Sequence, residues 1–184
     1  MKVATRFSRA VRLALCAGVL TLVDAGTAVR AGALLDGAVI SEAQVKAAFL
    51  FNFAMFVHWP ATEEGRLVIG IVADDAFADV VAETVRGRRV NGREIHTRRL
   101  TSTEDPAGCH VVFVGGMSPR AAAELIQRIR GPVLTVGETV QFLRDGGMVR
   151  LYVENSKIRF QINQKNADAV GLRFSSQLLT LAAR

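Results

Sequence analysis

Apolar residues are distributed in two different ways along this chain, and the difference predicts which elements form its interior. From Ser41 to Val57 the pattern is helical, with Ser41 as a plausible N-cap and Gln44 three residues on, the spacing of a capping box. The second half of that segment, Ala47 to Val57, is apolar on every face, interrupted only by Asn52. A surface helix shows a single apolar stripe, so a helix without a polar face has to be covered on several sides. It is either central to the fold or in contact with a partner. Pro60 ends it.

The shorter runs are different. Leu67 to Val72 (LVIGIV) and His110 to Val114 (HVVFV) are nearly unbroken and rich in β-branched residues, the pattern of strands buried on both faces. Arg93 to Leu100, after the turn signal Asn91-Gly92, and Val133 to Val136 read as two more strands. Helices are predicted over Ala76 to Val85, Arg120 to Ile129 behind Pro119, Val140 to Arg144, Asn163 to Val170 and Ser176 to Ala183. Met148 to Val153 and Lys157 to Ile162 flank Glu154-Asn155-Ser156 as a hairpin. Alternating strands and helices imply a mostly parallel sheet covered on both faces. The expected fold is a three-layer α/β sandwich with a C-terminal antiparallel hairpin.

The first 33 residues change the reading of charge. Lys2, Arg6, Arg9 and Arg12 precede the apolar run Leu13 to Val23, and small residues follow at Gly26-Thr27-Ala28 and Ala31-Gly32-Ala33. These are the three parts of a secretory signal, too short to span a bilayer, with cleavage expected after Ala28 or Ala33. Cys16 does not make it a lipoprotein signal, because Leu15 stands where a small residue is required. The whole chain is +6. Residues 1–33 hold five bases and one acid and so carry +4 of that, leaving +2 for a single domain over residues 34–184. The high pI is therefore largely an export feature and does not argue for nucleic acid. Periplasmic localisation is expected. Cys109 would then be the only thiol, with no intramolecular disulfide available; such a thiol is either buried or paired between chains, and its place beside a buried strand favours burial.

Candidate chemistry is sparse. Asp74-Asp75 lies at the C-terminal end of a buried strand, where open α/β sheets place ligands. Two carboxylates there suit Mg²⁺ or a shared proton; the plainer reading makes Asp75 a helix N-cap beside a solvated neighbour. A phosphate-cradling turn over Phe113 to Ser118, through Gly115-Gly116, matches no nucleotide motif. Asp74, Asp75, Gly115 and Gly116 are kept as a candidate small-molecule pocket. His58, His96 and His110 are scattered without metal spacing, and Ser175-Ser176 lacks a nucleophile-elbow pattern. The basic clusters Arg86-Gly87-Arg88-Arg89 and Arg98-Arg99 have no interleaved aromatics for stacking. No metal, cofactor or catalytic set is expected, and the chain reads as a binding protein and not an enzyme. Phe53, Phe56, Trp59 and Pro60 are the candidate partner contacts if the apolar helix is incompletely covered; otherwise the aromatics are ordinary core.

Several segments together resemble the YfiR family. Val45 to Pro60 (VKAAFLFNFAMFVHWP) is similar to its opening signature, followed in order by Cys109 to Val114, Val133 to Glu138, Gly146-Gly147-Met148 with Arg159 to Asn163, and Gly171 to Leu179. The likeness runs over essentially the whole mature chain. It implies a periplasmic repressor that binds the periplasmic sensory domain of a membrane-bound, YfiN-type diguanylate cyclase, lowering cyclic di-GMP and biofilm formation. A homodimer and a small-molecule signal are further expectations, and a periplasmic small-molecule sensor is the alternative function. Well-known members carry additional cysteines forming redox-linked disulfides. Here only Cys109 remains, so that switch does not carry over.

Overall fold

The computed structural model describes residues 41–60 and 65–182. The expected signal segment, with Cys16 and its cleavage sites, lies outside the described residues. Helix α1 (Glu42–Phe56) begins at the capping box read from the sequence. Gln44 N–H donates to Ser41 Oγ (3.2 Å), and Ser41 N–H donates to Gln44 Oε1 (2.8 Å). Strand β1 (Val57–His58) follows directly, then β2 (Leu67–Val72) and α2 (Asp75–Val85). The cap of α2 is Asp74, not Asp75: Asp74 Oδ1 accepts from Phe77 N–H at 2.8 Å. Asp75 is instead the first helical residue, where a carboxylate favours the helix dipole.

A short hairpin comes next, β3 (Arg89–Val90) and β4 (Arg93–Arg99), turning through Asn91 and Gly92 at φ of 50° and 79°. Both values are left-handed, the geometry that makes Asn-Gly a favoured two-residue turn. Then come β5 (Val111–Val114), α3 (Pro119–Arg128), β6 (Leu134–Gly137) and α4 (Val140–Arg144). The chain continues with β7 (Val149–Glu154), β8 (Lys157–Ile162), α5 (Gln164–Asp168), β9 (Arg173–Phe174) and α6 (Ser176–Leu181).

The main sheet has seven strands in the order β3-β4-β2-β5-β6-β7-β8. The central five run parallel, β8 is antiparallel to β7 as expected, and β3 adds an antiparallel edge that the sequence reading lacked. Alternate residues of each strand serve different layers. Leu67, Ile69 and Ile71 of β2, with Val111 and Phe113 of β5, pack into a core with Leu50 and Phe53 of α1 and Val81 of α2. Val72, Val112 and Val114 pack on the other side with Ala122 and Leu125 of α3 and Phe142 of α4. The expected three-layer sandwich is present. Thr135, the one buried polar residue among the described residues, is satisfied because its Oγ1 accepts from Met148 N–H at 3.1 Å.

A second, two-stranded sheet pairs Val57 with Phe174 and His58 with Arg173, antiparallel. With Ser175 N–H donating to Phe56 O (3.0 Å), it ties the end of α1 to the start of α6. This ladder fixes the spacing of the two helices that border the groove described next.

Candidate functional site

α1 contributes to three separate concavities. Its C-terminal half, with β8 and α6, borders an apolar groove of about 480 Å³. Phe49, Phe56, Phe160, Leu178 and Leu181 line it, and Asn52 with the polar residues of α6 marks its rim. Leu181 is 70 % exposed, an unusual position for leucine on the last helix. Phe53, expected among the partner contacts, is fully enclosed below the groove, its ring 5.4 Å from Phe160 and 6.0 Å from Phe49. It packs behind the lining rings of Phe49 and Phe160 and presents no surface. The all-round apolar helix is explained in the same way: α2, the sheet and α6 cover most of its circumference, and the groove, with exposed Met55 on another side, is what remains.

Trp59 and Pro60 lie elsewhere, on a smaller cleft of about 280 Å³ with Met55, His58 and Arg93. The four residues expected to act together are therefore distributed over the core, the groove and this cleft. The indole Nε1 of Trp59 is enclosed without an acceptor among the described residues.

The third concavity, also about 480 Å³, lies beyond the C-terminal ends of β2, β5 and β6. It brings together Asp74, Gly115 and Gly116, three of the four residues expected to form a pocket. Asp75 is not part of it. Its carboxylate turns to Arg99, which also pairs with Asp79, at 2.5 Å each on an exposed rim. Gly116 has a left-handed φ of 65°, and at Gly115 a Cβ would come within 2.7 Å of the Phe113 ring, so both turns require glycine.

Lys46, Glu42 and Glu138, which were not singled out in the sequence, supply most of the charge in this crevice. Lys46 Nζ lies 2.5 Å from Glu138 Oε1 and 2.6 Å from Glu42 Oε1, with the lysine side chain 17 % exposed. Burial lowers the ammonium's pKa, but the hydrogen bonds and charges of Glu138 and Glu42 outweigh it and raise the pKa above its ordinary value. Glu138 is held from behind by Arg150, whose Nε donates to its carbonyl at 3.3 Å. A signal existed: Glu138 directly follows the buried strand β6, as Asp74 stands two residues beyond β2, and asking which polar residues end such strands would have found it.

The basic clusters are engaged within the chain. Arg98 donates to the Ala107 carbonyl at 2.9 Å, and Arg88 stacks over the Phe51 ring at 4.7 Å. Cys109 is buried as a free thiol, and burial raises its pKa. Among the described residues no helix is long and apolar enough to cross a membrane, and no group of three or more His, Cys, Asp or Glu is placed to hold a metal.

Fold and concavities together define an α/β sandwich domain with a crevice at the sheet's C-terminal edge and an apolar groove along one helix. The chain belongs to the YfiR/HmsC-like family, whose model matches residues 43–183. That family is regulatory, working with a protein partner. A solved structure, a conserved domain protein from Vibrio cholerae O1 biovar El Tor str. N16961, is similar with a TM-score of 0.50 at 11 % identity. The match covers 78 % of this chain and 60 % of that one, so the likeness concerns the fold alone.

Proposed function

We propose that residues 1–33 direct export and that the domain over residues 34–184 acts in the periplasm as a repressor. Its partner is the periplasmic sensory domain of a membrane-bound diguanylate cyclase, and its action lowers cyclic di-GMP and biofilm formation. The observation that carries this reading is the groove between α1, β8 and α6, an open apolar surface on a member of a regulatory family. Covering a leucine as exposed as Leu181 contributes about 1.5–3 kcal/mol when burial is complete. With the aromatic edges of Phe56 and Phe49 beside it, the groove has the make-up of an interface centre: apolar and aromatic, with a polar rim. Docking there requires no chemistry from the chain, in keeping with a binding role and not an enzymatic one.

The test is co-purification with the periplasmic domain of a cyclase encoded beside this gene, together with cell fractionation. Leu181→Asp should keep the wild-type melting temperature, because that side chain is largely exposed, yet lose the complex and raise cyclic di-GMP in cells. Retention of full binding by this variant would remove the groove from the interface. A deletion strain with unchanged cyclic di-GMP, or mature protein found in the cytosol, would end the reading.

A further inference from the structure

We propose that the crevice beyond β2, β5 and β6 binds a small organic cation, a protonated amine carried on an apolar body. Topology is the first support. From β2 the chain passes through α2 to β4 on one side, whereas β5 pairs with the opposite side of β2. Helix α2 packs on one face of the sheet and α3 on the other. The crevice therefore opens where the strand order reverses, the place where open α/β sheets bind ligands. Its volume of about 480 Å³ is within the range of small-molecule sites.

Charge sets the class of ligand. Crevices of this kind commonly attract anions to helix N-termini. Here Asp74 caps α2, and Glu42 and Glu138 lie across from it, so three carboxylates face one ammonium, Lys46. An anion would meet a net negative surface. Asp74 uses Oδ1 for the cap and Glu138 uses Oε1 for Lys46, so the second oxygen of each has no donor among the described residues. Lys46 itself shows that this site accommodates an ammonium at hydrogen-bond distance. The carboxylates do not converge as metal ligands. The wall opposite is apolar, with Phe77 and Phe113 4.7 Å apart between ring centroids and Val80 beside them. Both rings are largely buried, so what this wall offers is apolar contact for the body that carries the charge.

The test is calorimetric titration of the purified chain, without any partner, using 2-phenylethylamine, phenylalanine and phenylacetate, which differ chiefly in head-group charge. The amine should bind saturably at one site, phenylalanine more weakly and phenylacetate not at all. Asp74→Asn and Glu138→Gln should each weaken the amine about tenfold, the worth of one charge-assisted hydrogen bond. Asn caps a helix as well as Asp does, so Asp74→Asn should melt as wild type. No saturable heat with the amine, equal or tighter binding of phenylacetate, or wild-type affinity in both variants would overturn the proposal. Because no partner protein is present, failure here leaves the docking reading untouched.

Discussion

Phe53 and Phe56 stand three residues apart on α1 and look interchangeable in the sequence, yet truncating each should have different consequences. Phe53 is fully buried, edge-on to Phe160 at 71° and close to Phe49. Phe→Ala in such a place removes the transfer energy of the ring and leaves a cavity, about 3–5 kcal/mol in all. That is a large share of the roughly 5–15 kcal/mol holding a domain together. At about 2–4 °C per kcal/mol for a chain of this size, Phe53→Ala should melt roughly 10 °C early. Phe56 is half-buried and faces an open groove, so its removal encloses no cavity and should cost about 1 kcal/mol. Urea unfolding followed by circular dichroism gives both values, with the slope on denaturant unchanged if the two variants remain two-state. In binding assays the order should reverse at temperatures where both are folded, with Phe56→Ala weakening the partner complex more. Equal stability losses for the two, or a Phe53→Ala that is stable but binding-deficient, would refute this division of α1 into core and surface.

Gly70→Ala should also be costly, since an added Cβ would lie 2.7 Å from Leu100 Cδ1 and 2.8 Å from Cys109 Sγ. Overpacking of this kind costs about 1–3 kcal/mol; adding Cys109→Ala should recover part of it, and strictly additive losses in thermal melts would contradict the contact. Lys46 has a folded-state pKa above its unfolded value, so its ion pairs stabilise fully below about pH 10.5 and fail as pH rises through the folded value. The melting temperature of wild type relative to Lys46→Met should therefore converge only in strong alkali, and a constant gap across that range would exclude the linkage. The Cys109 thiol, buried with a raised pKa, should react with a thiol reagent at pH 8 only as the fold opens, far slower than in urea; immediate labelling would show it accessible. Ser156 holds a left-handed φ of 58° in the β7–β8 turn, so Ser156→Gly should stabilise by about 0.5–1 kcal/mol in denaturant titration, and a loss would contradict the turn geometry.

Much of this protein is determined locally and was legible for that reason. The capping box at Ser41, the unbroken β-branched runs of β2 and β5, the Asn91-Gly92 turn and the hairpin at Asn155-Ser156 depend on neighbours a few residues away. So the parallel sandwich and the position of Asp74 at a strand end could be read directly. The one-residue error at that cap reflects a side-chain choice between two adjacent aspartates, which spacing does not settle. The two-residue strands β1, β3 and β9 were not legible, because a segment so short has no periodicity and exists only through its partner. β3 finds its partner locally, in β4, whereas the β1–β9 pairing is long-range and joins α1 to α6.

The sites depend on that same long-range pairing. The sequence alone determined that α1 is too apolar to stand at a surface and that Gly115-Gly116 closes a buried strand. Only the tertiary structure decided which side of α1 stays open, because α6 is brought beside it by the β1–β9 ladder 115 residues of chain away. It also decided that Lys46 and Glu138, 92 residues apart, meet at 2.5 Å. A local pattern specifies how much apolar surface must be covered; what covers it, and what charge is left facing the opening, follows from the order of strands in the sheet.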